Sequence, residues 1–253
     1  MEKSTNNIAI LVDGDNAQAK LLELILEEVS KYGKVTIRRI YGDWTTPQMN
    51  SWKDLLNDLS FSPIQKFSYT TGKNSTDSSL IIDAMDILHD KAVDGFCIVS
   101  SDSDYTGLAK RIREEGIFVM GVGEKKTPNA FVQSCEIFTY CENLIPRKPK
   151  NTKEANVVSV KKTESSHTED VEIKELSKSD IKLIDRAFDM SVNEEVETYI
   201  AQVGINLRKL KPSFDSRAYG FKNLTQLFGS LKGYEIIRNE VGGLNHPLVK
   251  RVG

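Results

Sequence analysis

Carboxylates stand at three places in this chain where a cation and a phosphoryl group could be handled together. Val12-Asp13-Gly14-Asp15-Asn16 closes one apolar run, Ser100-Ser101-Asp102-Ser103-Asp104 closes another, and Asp77 and Asp83 lie between them. Asp43 follows a further run that ends at Tyr41. Carboxylates gathered in one pocket repel each other, so such a set calls for a counter-cation. Ligands that are all oxygen suit Mg2+ or Mn2+ rather than zinc. An ion of that kind activates water and offsets charge during in-line attack at phosphorus. With no His or Cys nucleophile beside them, these acids point to phosphodiester hydrolysis. An Asp after a strand is also an ordinary helix cap, and Asp15, Asp77 and Asp102 each allow that reading singly. Chance placement of the whole set at adjacent strand ends is a much poorer explanation.

Strands and helices in alternation must position these acids. Apolar runs occur at Ile8–Val12, Val35–Tyr41, Ile64–Phe67, Phe96–Val99 and Phe118–Val122, with a sixth candidate at Ile137–Tyr140. Between them, Leu21, Leu22, Ile25 and Val29 keep helical spacing, as do Trp52, Leu55, Leu56 and Leu59, then Leu80, Ile81, Ala84 and Leu88, and lastly Leu108 and Ile112. Near-continuous apolar strands between amphipathic helices predict a parallel sheet covered on both faces. Sites in such sheets form at the carboxyl ends of the strands, beside the switch point in strand order. At about 100° per residue, Asp77 shares a helix face with Ile81, Ala84 and Leu88 and points over those ends. Asp83, Asp86 and Asp90 fall on the polar side and are assigned to solvated surface, Asp83 near the boundary. Asp43 is assigned a structural role, Tyr41 and Trp44 a core or rim role, and Gly121-Val122-Gly123 a turn.

Composition narrows the class further. The chain has 253 residues, 39% of them hydrophobic, and a formal net charge of −2, which fits neither a disordered nor a membrane protein. No apolar run approaches the roughly 18 residues needed to span a bilayer, and the amino terminus enters its first strand without a signal-peptide core. The three cysteines form no Cys-x-x-Cys pair and His89, His167 and His246 are scattered, so no structural zinc site is expected and a reducing cytoplasm is the expected setting.

The helical pattern stops at Pro146, and a Ser/Thr/Glu/Lys-rich stretch to Lys178 predicts a flexible linker between a 1–145 domain and a 179–253 domain. Beyond it, helices are expected from Ser179, over Glu195–Leu210 and over Lys222–Leu231. Tyr234–Arg238 and His246–Arg251 flank Gly242-Gly243 as a hairpin would, giving a winged helix-turn-helix. Residues 1–145 carry 15 basic and 21 acidic side chains, whereas 208–251 holds nine Lys/Arg against Asp215, Glu235 and Glu240, which implies two separate jobs.

Ile10-Leu-Val-Asp13-Gly-Asp-Asn16, Lys73-Asn-Ser-Thr-Asp77-x5-Asp83 and Val99-Ser-Ser-Asp102-Ser-Asp104-Tyr105 together resemble the NYN domains of the PIN-like nuclease superfamily. The resemblance covers residues 6–145 and implies a Rossmann-like, PIN-type parallel sheet with a divalent-metal ribonuclease site. Carried over by position, it makes Asp13, Asp77 and Asp102 the metal-binding carboxylates, with Asp104 close by and Asn16 orienting the first acid or a water. Val203-Gly204-x2-Leu207-x4-Pro212-x-Phe214-Asp215-x-Arg217-x-Tyr219-Gly220-x3-Leu224 resembles an OST-HTH (LOTUS) domain, a winged-helix module associated with RNA binding. Beside a nuclease, Arg208, Lys209, Lys211, Arg217 and Lys222 then become candidate phosphate contacts, with Phe214 and Tyr219 in packing roles.

The leading expectation is a Mg2+- or Mn2+-dependent ribonuclease with RNA as partner, no membrane, and homo-oligomer formation left open. One alternative is an RNA-binding adaptor whose acidic pocket no longer turns over. Another is a haloacid-dehalogenase-type phosphatase, since Asp13-Gly14-Asp15 imitates its Asp-x-Asp, but Asn16-Ala17 replace the Gly and Thr/Ser that should follow. A receiver domain would need an acceptor Asp ending the third strand, where Ser68-Tyr69-Thr70 stands.

Overall fold

A computed structural model describes residues 6–67, 75–145, 175–192, 197–241 and 244–252. The linker expected at 146–178 therefore lies outside the described residues up to 174, as do Lys73, Asn74 and the segment 68–70.

β1 (Asn7–Asp13), β2 (Lys34–Gly42), β3 (Ser62–Gln65), β4 (Gly95–Val99), β5 (Phe118–Gly123) and β6 (Ile137–Tyr140) form one parallel sheet in the order β3-β2-β1-β4-β5-β6. The sixth candidate strand is thus part of the sheet. The chain walks outward from β1 to β3, then returns across the sheet to β4 on the other side of β1. The switch point falls between β1 and β4, where two connections depart in opposite directions.

Both faces are covered. Ile8, Ile10 and Val12 of β1 enter one core with Leu22, Ile25 and Val29 of α1 (Leu22–Ser30), while α2 (Lys53–Asp58) lies at its rim. Ala9 and Leu11 enter the opposite core with α3 (Ser75–His89), α4 (Thr106–Glu114) and α5 (Asn129–Ser134). A strand with both alternating sets buried has no polar face to show, which is why it reads as a continuous apolar run. A short α6 (Cys141–Leu144) follows β6.

The inward face of α3 is centred on Leu80, Ala84 and Ile87, with Ile81 and Leu88 only partly buried. That rotation brings Asp83 toward the sheet, where its carboxylate takes Arg39 and the Tyr41 hydroxyl. Asp83 is therefore not a solvated surface acid, which corrects the sequence expectation: two long polar side chains from β2 reach it.

The carboxyl-terminal part has a third core built on Ile184, Val203, Leu207, Leu227, Phe228 and Val249. Its first helix, α7 (Lys178–Asp189), begins at a capping box of Ser177 and Asp180, two residues earlier than the Ser179 start. The second helix, expected from Glu195, begins at Ile200 as α8 (Ile200–Leu210), because Glu197–Tyr199 is drawn off as strand β7. β7 pairs with Leu248–Lys250, a partner 49 to 53 residues away that local helical periodicity does not report. α9 (Leu224–Ser230) is capped by Asn223, whose side chain accepts from the Gln226 amide at 2.9 Å. β8 (Tyr234–Ile237), a short ribbon of β9 (Glu240–Val241) and β10 (Leu244–Asn245), and β11 (Leu248–Arg251) complete the wing.

The two parts touch. β6 is the sheet's edge strand, and its Phe138 amide donates to the Pro212 carbonyl at 3.0 Å. Arg217 grips Glu28 on α1 through two bonds of 2.8 and 2.9 Å and Asp215 at 2.7 Å. Glu28 is only 5% exposed, and although burial opposes its charge, Arg217 and Lys31 hold its carboxyl below the usual range.

If that ion pair joins the domains, removing it should loosen them. Glu28→Ala leaves Arg217 with Asp215 alone and should cost on the order of 1–3 kcal/mol, the usual penalty for stripping a partner from a buried charged group. Calorimetry should show the wild-type unfolding peak broaden or split in the variant. An unchanged peak would mean the contact holds nothing together.

Candidate metal centre

Asp13 is the last residue of β1 and lies fully buried at the switch point. The Gly14 amide donates to the Tyr41 carbonyl at 2.8 Å, and a Cβ at Gly14 would come equally close to that oxygen. Only glycine lets the backbone keep hugging β2 as it leaves β1. On the other side Ser100, just past β4, donates its hydroxyl to Asp13 Oδ2 at 2.9 Å. Asn16 donates to the same oxygen at 2.8 Å. A Cβ at Gly123 would lie 2.5 Å from the Ser100 carbonyl, so β5 must end in glycine for the Ser100 loop to sit where it does.

The Ser100 hydroxyl also accepts from the Asp102 amide at 3.1 Å, tying the second acidic loop to the first. Asp102 caps the helical turn Ser103–Tyr105 by accepting from the Asp104 amide at 2.9 Å. Capping and ligation are compatible here, since the cap occupies Oδ1 and carboxylates have lone pairs to spare. Asp77, in the first turn of α3, accepts from the Tyr105 hydroxyl at 2.7 Å. One carboxylate oxygen from each of Asp77, Asp102 and Asp104 lies within 4.8 Å of the others. Residues from α3 and from the loop after β4 thus converge, and Asp13 stands behind them on β1.

The electrostatics of the cluster are unfavourable as it stands. Burial raises the Asp13 carboxyl above its usual range, against the hydrogen bonds from Asn16 and Ser100, and Asp77 and Asp15 push it further. Burial also raises Asp77, with Asp102, Asp104 and Asp15 adding to the shift and the Tyr105 bond opposing it. The Tyr105 hydroxyl is held protonated by burial and by the Asp13 and Asp77 charges, so it serves as a donor only. Asp13 Oδ1 is buried without a hydrogen-bond partner among the described residues. A buried, unpaired carboxylate oxygen among several acids is costly without a cation, and an all-oxygen donor set is what hard divalent ions take. The residues fit a hard divalent cation.

Ser100 and Tyr105 are site residues that sequence reasoning passed over, although both stand inside the quoted Val99–Tyr105 segment. Asp43 sits outside the cluster and accepts from the Thr45 amide and Gln65. Trp44 is tied by its indole to the Ile64 carbonyl at 3.2 Å and is partly buried, while Tyr41 is fully buried, in keeping with rim and core roles.

The expected phosphate contacts are divided. Lys209 and Lys222 are exposed, and Arg208 lies over the Tyr32 ring, 5.6 Å from its centroid. Lys211 pairs with Asp180 at 3.3 Å. Arg217 is spent on Glu28 and Asp215, which corrects the expectation that it faces phosphate: its fork geometry suits two carboxylates that a linear reading does not bring together.

Comparison with known proteins gives two family matches in this order: the NYN domain over residues 7–146 and the OST-HTH/LOTUS domain over residues 166–246. A solved structure of a protein of unknown function from Vibrio parahaemolyticus is similar at 22% identity, covering 55% of this chain and 94% of that chain, with a TM-score of 0.46. No curated protein matches the chain.

The strain on Asp13 has a measurable sign. An acid whose folded pKa is raised destabilises the fold as pH climbs through its unfolded value, near 3.8, toward the folded one. Metal-free Asp13→Asn should therefore melt at or above wild type at pH 7, with the gap closing near pH 3 to 4. Added Mn2+ should raise the wild-type melting temperature and leave the variant's unmoved. A variant less stable than metal-free wild type at every pH would show that the Asp13 charge is not strained.

Proposed function

The chain belongs to the NYN-domain family and carries an OST-HTH/LOTUS domain after it, and from that premise we propose that it is a divalent-metal-dependent ribonuclease whose carboxyl-terminal domain holds RNA. The observation that carries this reading is the buried, unpartnered Asp13 oxygen beside three converging carboxylates at the switch point.

Asp13, Asp77, Asp102 and Asp104 would hold Mg2+ or Mn2+. When bound, such an ion supplies an activated water and offsets charge on the phosphoryl oxygens. The chain's own residues set the geometry. Ser100 and Asn16 fix Asp13 through Oδ2, and Oδ1 would be available to a cation. Tyr105 fixes Asp77, and the backbone amide of Asp104 fixes Asp102. Lys209, Lys222 and Arg208 supply positive charge on the carboxyl-terminal domain for phosphates, while RNA rather than DNA as substrate rests on the family.

All three cysteines are free and buried, and no helix among the described residues is long and apolar enough to cross a membrane. A reducing cytoplasmic setting accords with the thiols.

Labelled single-stranded RNA, duplex RNA and DNA should separate the readings. Cleavage of RNA is expected with Mn2+ or Mg2+, none with chelator, and none by Asp102→Asn or Asp13→Asn. RNA binding without turnover under every metal condition would favour an adaptor instead.

A further inference from the structure

Both domains line a cleft of about 250 Å³. Its walls carry four cations, Lys31, Arg208, Arg217 and Lys222, against two carboxylates, Glu28 and Asp215. Those carboxylates are already engaged, since Arg217 binds both and Lys31 shares Glu28 at 2.6 Å. Among the described residues, Arg208 and Lys222 have no carboxylate partner. The Arg208 guanidinium lies over the Tyr32 ring, and its N–H edges meet no acceptor among the described residues. Tyr32 is itself backed by Phe118, with ring centroids 5.9 Å apart. The cleft therefore offers one positioned guanidinium, one free ammonium and an aromatic wall.

Its place in the fold matters as much as its charge. Glu28, Lys31 and Tyr32 stand at and just after the carboxyl end of α1, where the chain turns into the start of β2. Phe118, behind Tyr32, is the first residue of β5. The cleft thus sits at the amino ends of the strands, and the acidic centre sits at their carboxyl ends. β1 has seven residues, so at about 3.3 Å each the two places differ by roughly 20 Å in height along the sheet.

Excess positive charge with guanidinium geometry selects a phosphate-bearing ligand, and a phosphodiester strand is the one such ligand that reaches both places. We propose that this interdomain cleft is a second RNA site, in which Arg208 and Lys222 hold phosphates about one sheet height from the acidic centre, so that efficient cleavage requires a strand long enough to span both. The inference rests on the ribonuclease reading. Arg217 is a positioning residue here: it keeps the cleft walls together and touches no phosphate.

The test uses the full chain and a uridine-rich single-stranded oligoribonucleotide in short and long versions. With chelator present, the Arg208→Gln/Lys222→Gln double variant should bind the long strand more weakly. Its log–log salt slope should be shallower by about 1.4, from roughly 0.7 per lost phosphate contact on a single strand. A 4-thiouridine strand should crosslink to the wild-type protein at Lys31–Tyr32 as well as within 208–224. With Mn2+, the kcat/KM advantage of the long strand over the short one should disappear in the double variant. An unchanged salt slope, or crosslinks confined to the carboxyl-terminal domain, would overturn the proposal. A shallower slope with no cleavage by any protein would sink the ribonuclease reading and leave the cleft standing.

Discussion

Asp13 sits fully buried with one oxygen unpaired among the described residues, close to a cluster of three further carboxylates, and the strand ends, loops and glycines around it are arranged to hold it there. An ionised carboxylate in a dry site is costly, and like charges nearby make it worse. Two neutral donors, Ser100 and Asn16, offset part of the cost on one oxygen without cancelling the charge. An arginine in their place would stabilise the fold better and leave no charge for a cation. Hydroxyl and amide donors thus leave the negative charge of Asp13 uncancelled.

Strand order follows from the same need. Acids on β1 and after β4 meet only because those strands are neighbours, and they are neighbours because the chain crosses back after β3. The crossing helix, α3, delivers Asp77 from the other side, and Tyr105 bridges it to the turn that Asp102 caps. The glycines at 14 and 123 are the local concessions that let three backbones approach closely enough.

What the sequence disclosed and what it hid divide along contact range. The six strands were legible because burial on both faces leaves unbroken apolar runs, and the inward turn of Asp77 followed from helical period alone. The grouping of Asp102 and Asp104 with Asp77 was legible once the strand ends were placed. By contrast, Asp83 seemed solvated because its partner Arg39 lies 44 positions away. Arg217 seemed free because Glu28 is 189 positions away. Glu197–Tyr199 seemed helical because its strand partner comes near the end of the chain. Each miss is a polar or edge contact whose partner no local pattern announces, while the core announces itself by composition.

Ion pairs such as Arg217 with Glu28 and Asp215 give modest stability, because desolvation consumes most of the Coulombic gain. Their strength is geometric: a bidentate fork accepts few orientations, and a mispacked domain would strand a buried charge. A simple tether between an RNA-holding module and a nuclease would need no such contact, since effective concentration alone would suffice. Fixing the modules edge to edge, with the β6 amide of Phe138 bonded to Pro212 as well, makes sense when distance itself matters. On the proposed reading, a strand held in the interdomain cleft would meet the acids at the other end of the sheet at a spacing that these contacts set.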